Sequence, residues 1–401
     1  MNKKRYQSCV STCLLLSVII ISSISCKRDE INNLNIQNID ITAGLMSDPV
    51  EIKLSNFTSK IEYIFLETHE QCLLYRIDKV MQDDSLYFVY NKQQLFIFNQ
   101  NGEFIRQIGR LGKGPGEYLR IMDFTLITSE DNILIYDSDQ HKVIKYNYDG
   151  TLELEFRINH NATKISTMND QFLVVSWVKP DFILNDNYSL SIYNLDGKIV
   201  NQTFNRDDEK AKLTMPSTFL TRLNYYNDSL TYWETNLDII YRIDDQGEPI
   251  PAYKINYESN DKSKDMSEVT PNIFRFSYFS ETNNYMFFLS GVYDNEVKHI
   301  GYDKKNDHVF SFNVKHLDKN LMLKCGFVND IDGGYPFLPF DVLKDGRMYC
   351  TFYPYQLKKM IKEKLHFNTE VLNPGLQNQL YTRIDNSNDL DNPIIMITRI
   401  N

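Results

Sequence analysis

The chain has 401 residues, 42% hydrophobic and 24% charged, with a formal net charge of −10. Its 16 Gly and 12 Pro are too few for a fibrous or disordered chain. The acid excess argues against general nucleic-acid binding, which needs a basic footprint. Removing residues 1–25, which carry Lys3, Lys4 and Arg5 and no acid, sharpens this: 43 bases less three leaves 40 against 53 acids. Aromatics are abundant, with 26 Tyr and 24 Phe but only two Trp, a bias toward strands.

In chain order, the first element is an address. Lys3-Lys4-Arg5 precedes an apolar run at 14–21, then small residues and Cys26. This is a secretory signal layout, too short to span a bilayer as a mature helix. Ser23-Ile24-Ser25-Cys26 resembles a bacterial lipobox, with Ser23 where Leu is usual. The resemblance implies cleavage after residue 25 and acylation of Cys26, and thus a membrane as partner, since two or three acyl chains anchor stably. Residues 26–47 read as a flexible tether and 48–401 as the folded domain.

Residues 61–67 (IEYIFLE) read as a strand. Two turn series follow. One carries glycine: Gly102, Gly150, Gly197 and Gly247, spaced 48, 47 and 50 apart, each after an Asn/Asp-rich tripeptide. Tyr302–Asp307 is a degenerate fifth copy. Glycine suits a tight hairpin turn because such turns require positive φ. The other series, at Asp84, Asp131, Asp170, Asp228, Asn284 and Asp345, leads each time into an apolar strand. Two hairpin turns per unit of about 48 residues give four strands per unit, within the propeller-blade period range. Six copies predict an all-β, six-bladed β-propeller of four-stranded blades. Near the C-terminus, Leu357, Met360, Ile361 and Leu365 form an apolar stripe at helical spacing. It predicts a helical insertion over about 355–385, packed as a lid. Residues 393–400 read as a closing strand, and one or both of the terminal strands should complete the last blade.

Chemistry-bearing motifs are sparse. GKGPG within 109–118 fails the phosphate-loop and dinucleotide patterns, because no Gly-Lys-Ser/Thr opens a helix and a strand follows. It reads as a blade-to-blade crossover, although Arg110, Lys113, Glu117 and Tyr118 could meet a ligand. No His-Glu-x-x-His or Gly-x-Ser-x-Gly occurs. Asp330-Ile-Asp332-Gly-Gly334 imitates the start of a calcium loop but lacks its later ligands. No metal and no cofactor are expected. Cysteines at 72, 325 and 350 show no Cys-x-x-Cys spacing. A pair between Cys325 and Cys350, neighbours in the last blade, is left open.

The string GRLGKGPGEY at 109–118, with LET at 66–68, FNQNGEFIRQIG at 98–109 and DNPIIMITRI at 391–400, resembles the six-bladed β-propeller lipoproteins of Gram-negative bacteria, relatives of NHL-repeat and TolB-like propellers. The resemblance covers about 48–401. It implies an outer-membrane lipoprotein, periplasmic or surface-facing, associated with nutrient or glycan uptake, with no established catalytic residues. A fold transfers better than a function.

Blade geometry adds an expectation. The loops between second and third strands and the blade crossovers open on one face; both turn series lie on the other. The first face should carry Asp137, Asp139, Trp177, Trp233, Tyr353 and the glycine loop. Trp and Tyr join an apolar body to a polar tip, which suits a glycan, peptide or protein partner. A non-catalytic binding or scaffold module is the primary expectation. An envelope hydrolase or lyase acting at the channel mouth is the alternative.

Overall fold

The computed structural model describes residues 36–91, 93–158, 162–169, 171–177, 188–205, 221–226, 229–234, 239–256, 278–293, 296–312, 326–363 and 370–401. Cys26, the signal segment and Cys325 lie outside them. Among the described residues, six sheets follow one another, each built on four antiparallel strands. Blade one comprises Lys79–Asp83, Leu86–Tyr90, Leu95–Asn99 and Phe104–Ile108. Blade two comprises Ile121–Ile127, Asn132–Asp137, Lys142–Asn147 and Leu152–Arg157. Blade three runs through Ala162–Met168, Phe172–Trp177, Tyr188–Asn194 and Ile199–Asn205. Blade four holds Thr221–Tyr226, Ser229–Glu234, Ile239–Ile243 and Pro249–Asn256. Blade five holds Tyr278–Glu281, Tyr285–Tyr293, Glu296–Asp303 and His308–Phe312. Asp341–Val342, Met348–Phe352, Ile394–Thr398 and, from the other end of the chain, Glu62–Phe65 form blade six. Both terminal strands therefore close the last blade.

The turn chemistry explains the hairpins. Gly102, Gly150, Gly197 and Gly247 all have φ between +81° and +86°, and Asp307 takes the glycine's place in the degenerate copy at +48°. Asp84 and Asp131 of the second series also adopt the left-handed region, which Asp and Asn tolerate better than most residues. Middle strands such as Leu95–Asn99 and Asn132–Asp137 are buried on both faces, whereas the outer strand Leu152–Arg157 is largely exposed. A sheet covered on both sides reads as a continuous apolar run rather than an alternation.

The core is six layers, one between each pair of successive blades. Phe88, Ile97, Leu126 and Ile144 join blades one and two. Tyr136, Val143, Leu173 and Val175 join two and three, and Val174, Ile192, Leu230 and Tyr232 join three and four. The layer between five and six is the thickest. It takes in Leu357 and Met360 of the helix Pro354–Lys362, and Leu380 and Ile384 of the helix Pro374–Asp385. The lid stripe thus packs on the propeller as expected, Leu365 lying outside the described residues. Cys72 and Cys350 are buried free thiols.

Residues 37–46 correct the tether reading. Gln37–Asp40 adds a fifth, parallel strand to blade four, with Gln37 opposite Tyr253 and Asp40 opposite Asn256. Ile39, Ile41 and Leu45 enter the layer between blades four and five. The chain then passes along blade five, where Val50 bridges Phe312, and reaches Leu54, whose N–H donates to Val328 O at 2.8 Å. The polar composition hid this because the hydrogen-bonding partner is an edge strand more than two hundred residues away.

Asn392 locks the closure. Its Nδ2 donates to Glu67 O (2.6 Å) and Cys72 O (2.7 Å), and its Oδ1 accepts from Leu74 N (2.7 Å). Its backbone N–H donates to Thr68 Oγ1 at 2.8 Å. Asn392→Ala strands several buried polar groups, each costing about 1–3 kcal/mol. The expected loss in denaturant-unfolding stability is about 3 kcal/mol, against less than about 0.5 kcal/mol for the exposed Asn388→Ala.

Candidate ligand-binding face

The two propeller faces differ. The turn face carries the Asp84-type and Gly102-type hairpins. The crossover face carries the loops between second and third strands, the crossovers, and both C-terminal helices, which are inserted between strands Met348–Phe352 and Ile394–Thr398.

The glycine loop is a self-capped crossover. The Glu117 carboxylate accepts from Gly114 N at 2.8 Å and from Arg110 Nε at 2.7 Å. Those contacts, Gly114 first and Arg110 next, hold its carboxyl below the ordinary value. A Cβ on Gly112 would lie 2.0 Å from Glu117 Oε2, so glycine there makes room for the carboxylate. Tyr118 is fully buried, its hydroxyl donating to Ile108 O at 3.3 Å. Arg110 and Lys113 point outward. Asp137 is also fully buried and organises the neighbouring loop, accepting from Leu119 N (2.7 Å), Asp139 N (2.9 Å) and Gln140 Nε2 (2.8 Å). Asp139 pairs with Arg120 at 2.7 Å on the surface.

The expected aromatic residues divide. Trp233 is buried between blades four and five, edge-on to Phe279 (5.4 Å between centroids) and Phe288 (5.7 Å). It is a packing residue, which corrects its assignment as a ligand contact: the end of a second strand still lies inside the inter-blade layer. The Trp177 side chain lies outside the described residues. Tyr353 does reach the crossover face. Its hydroxyl donates to Tyr75 O, and its ring lies 5.5 Å from that of Tyr355. Tyr75 is 88% exposed and Tyr355 43%. Arg76, next to Tyr75, forms a two-pronged pair with Asp78 at 2.5 and 2.9 Å.

Asp330 and Asp332 are already occupied. Asp330 accepts from Ser55 N (3.0 Å) and Ser55 Oγ (2.6 Å), and Asp332 from Asn329 Nδ2 (2.7 Å) and Gly334 N (2.9 Å). Among the described residues, no three His, Cys, Asp or Glu side chains come together as a metal site would require.

The sequence reading missed a ring of polar residues, one from each blade: Lys79, Asp123, Lys164, Arg222, Tyr278 and Asp341. Each is the first, second or third residue of its blade's first strand, and so lies near the crossover end of the channel. From blade two to blade six, first strands of successive blades touch. Lys79 Nζ donates to Asp123 Oδ1 at 2.9 Å and to Phe124 O at 2.6 Å. Asp123 also accepts from Ile165 N at 3.0 Å. The Arg222 guanidinium stacks on Tyr278 at 5.1 Å, and the Tyr278 ring lies 4.2 Å from that of Phe340. Asp341 accepts from Val342 N at 2.8 Å.

These groups feel one another across the channel. Burial alone would raise the Asp123 carboxyl, but Lys164 and Lys79 outweigh it and hold it below its usual value. Asp341 is pushed up by burial despite Lys79, Lys164 and Arg222. Burial lowers Arg222. Lys164 is lowered although Asp123, its strongest influence, acts to raise it; burial and the cations Lys79 and Arg222 prevail. The opposite mouth is crossed by Lys344, which donates to Thr128 Oγ1 (3.0 Å) and lies over the Tyr225 ring (5.9 Å), so blade six reaches blades two and four. A signal for the ring existed. Each member stands four to eight residues before an Asp84-type turn, but only after the six turns are aligned.

A closed six-bladed propeller with a charged ring in one channel mouth is the class this fold defines. The chain belongs to the family described as Domain of unknown function (DUF4934), whose model matches residues 36–399. No curated protein matches it. Among solved structures, 92% of this chain is similar to the whole of a Bacteroides fragilis chain described as an exported protein, at 18% identity and a TM-score of 0.68. More distant likenesses are virginiamycin B lyase from Staphylococcus aureus (12% identity, TM-score 0.39, 64% of this chain and 76% of that one) and BamB from Moraxella catarrhalis (10%, 0.39, 62% and 66%).

Asp123→Asn removes the counter-charge of Lys79 and Lys164, with an expected cost of about 3 kcal/mol at neutral pH. The folded carboxyl titrates below the ordinary aspartate value of about 3.9, so its contribution is complete above that value and is lost as pH falls through the folded one. Chemical denaturation across pH 3–7 should show the gap between wild type and variant narrowing below about pH 4. A constant gap would contradict the assignment.

Proposed function

We propose that this protein is a non-catalytic binding propeller of the cell envelope, held to the membrane through acylated Cys26 and taking its ligand at the crossover mouth of the channel. The observation that carries the reading is the ring of Lys79, Lys164, Arg222 and Tyr278 at the crossover mouth, on the same face as the exposed Tyr75 and Tyr355. Polar groups converge there next to amphipathic rings, as in ligand sites generally. The carboxylates favour binding over catalysis. Asp123 is 1% exposed and engaged by Lys79 and the Ile165 N–H, a poor state for a general base.

The exported neighbour from Bacteroides fragilis is consistent with delivery to the envelope. Gln37–Asp40 runs parallel to Pro249–Asn256, which starts at the Gly247 turn, so Gln37 lies at the turn side of blade four.

Two experiments test this. Cys26→Ala should abolish palmitate labelling and move the protein from the membrane pellet to the soluble fraction; a variant still labelled and sedimenting would remove the anchor. The Tyr75→Ala/Tyr355→Ala double variant, at exposed positions, should lose about fivefold or more of wild-type binding on a glycan array and in pull-downs from detergent-solubilised membranes. Undiminished capture would place the binding surface elsewhere.

A further inference from the structure

Four large side chains stand out from the crossover face where blades six and one meet. Residues 72–75 alternate. Cys72 and Leu74 are buried, whereas Leu73 and Tyr75 point outward, 53% and 88% exposed. Leu390 is 91% exposed and Tyr355 43%. Three chain segments bring these residues together, and each is tied to the next. Asn392 donates to Cys72 O and accepts from Leu74 N. The Tyr353 hydroxyl donates to Tyr75 O. Lys358 Nζ donates to Ser387 O and lies 3.4 Å from Asp389. The side chains project, but the backbone beneath them is the closure lock. The cluster is therefore organised before anything meets it, which lowers the entropy cost of binding.

We propose that Leu73, Tyr75, Tyr355 and Leu390 form a knob that docks into an apolar, base-rimmed pocket of a partner protein. This rests on the reading above that the crossover face is the binding face, and it names the partner's chemistry. Shape comes first. A small ligand is enclosed by a cleft that buries most of its surface. Side chains 88% and 91% exposed project from the molecule and enclose nothing; they fit a concavity on another surface. Leu73 and Leu390 also have no polar atom to offer the hydroxyls of a sugar. The four side chains expose roughly 500 Å², within the size of patches that mark contact sites. That is short of the about 800 Å² a side of a stable complex, so the partner extends past the knob onto its polar margin. Charge selects among the macromolecules. Asp389 and Asp391 flank Leu390, and the Asp389 side chain is 71% exposed. A second copy docking through the same patch would set these carboxylates against their own copies. A bilayer would have to take them in with Leu390, beside anionic headgroups. A protein pocket with Lys or Arg at its margin meets both the leucine and the carboxylates.

The test is site-specific crosslinking of the full chain in the cells that produce it. Photoreactive p-benzoylphenylalanine replaces Leu390, Tyr75 or, as a control on the outer strand of blade three, Val200, which is 54% exposed. Irradiation should give the same protein adduct from positions 75 and 390 and none of it from 200. The adducted protein, identified by mass spectrometry and purified, should bind the detergent-solubilised full chain in calorimetry. Leu390→Ala, checked to melt with wild type, should weaken that binding about tenfold or more. Asp389→Asn/Asp391→Asn should weaken it several-fold and flatten its salt dependence; undiminished binding by that variant removes the basic rim. An adduct with lipid or with a second copy of this chain overturns the proposal in favour of a bilayer or a dimer. No adduct at position 390, or unchanged affinity in Leu390→Ala, overturns it outright. If Leu390→Ala changes nothing while the Tyr75→Ala/Tyr355→Ala variant loses capture, the knob falls and the binding reading stands. If neither variant changes capture, both fall.

Discussion

The structure depends on one pairing between residues more than three hundred apart. Glu62–Phe65 lies antiparallel on Ile394–Thr398, which is itself paired to Met348–Phe352. An open row of blades would leave two apolar faces bare, one at each end. Closure buries them as the layer between blades six and one, built from Ile64, Val80, Tyr87, Val89, Tyr349 and Ile395. It also covers the edge of Ile394–Thr398 and leaves the short Glu62–Phe65 as the outer strand of the blade. Asn392 and the 66–68 segment sit where the two ends meet. Two of the strings that carry the family resemblance are therefore the two halves of one hydrogen-bonded lock.

Closure also has an electrostatic consequence. Six first strands are forced toward a common axis, so whatever side chains begin them are gathered at the mouth. Here these are three cations, two carboxylates and a tyrosine. In separate blades each would be an ordinary solvated residue. Brought together and partly desolvated, they shift one another's ionisation. At the other end Lys344 bridges across the ring, which makes the two mouths chemically unlike. Residues 37–65 run along the outer edges of blades four, five and six.

The blade count was legible because tight turns are local. Positive φ at Gly102, Gly150, Gly197 and Gly247 must be met by residue type at those positions, whatever the rest of the chain does. The C-terminal helix was legible for the same reason, since Leu357 and Met360 repeat at helical spacing. The glycine string at 109–118 was rightly read as a crossover, although the role of Glu117 as its internal cap needed coordinates. Trp233 was misread because the depth of a strand end within an inter-blade layer depends on the neighbouring blade. Gln37–Asp40 was taken for tether because four polar-looking residues become a strand only when an edge is offered to them.

Turn chemistry and apolar runs, both satisfied within a few residues, specify the blades, their number and their order along the chain. Ring closure, the fifth strand on blade four and the charged mouth arise from contacts between distant segments. Their partners are set by curvature and packing, not by adjacency. The residues at 79, 123, 164, 222, 278 and 341 have unrelated local surroundings in the sequence. They become one site because six twisted sheets can bury both their faces only by closing around an axis.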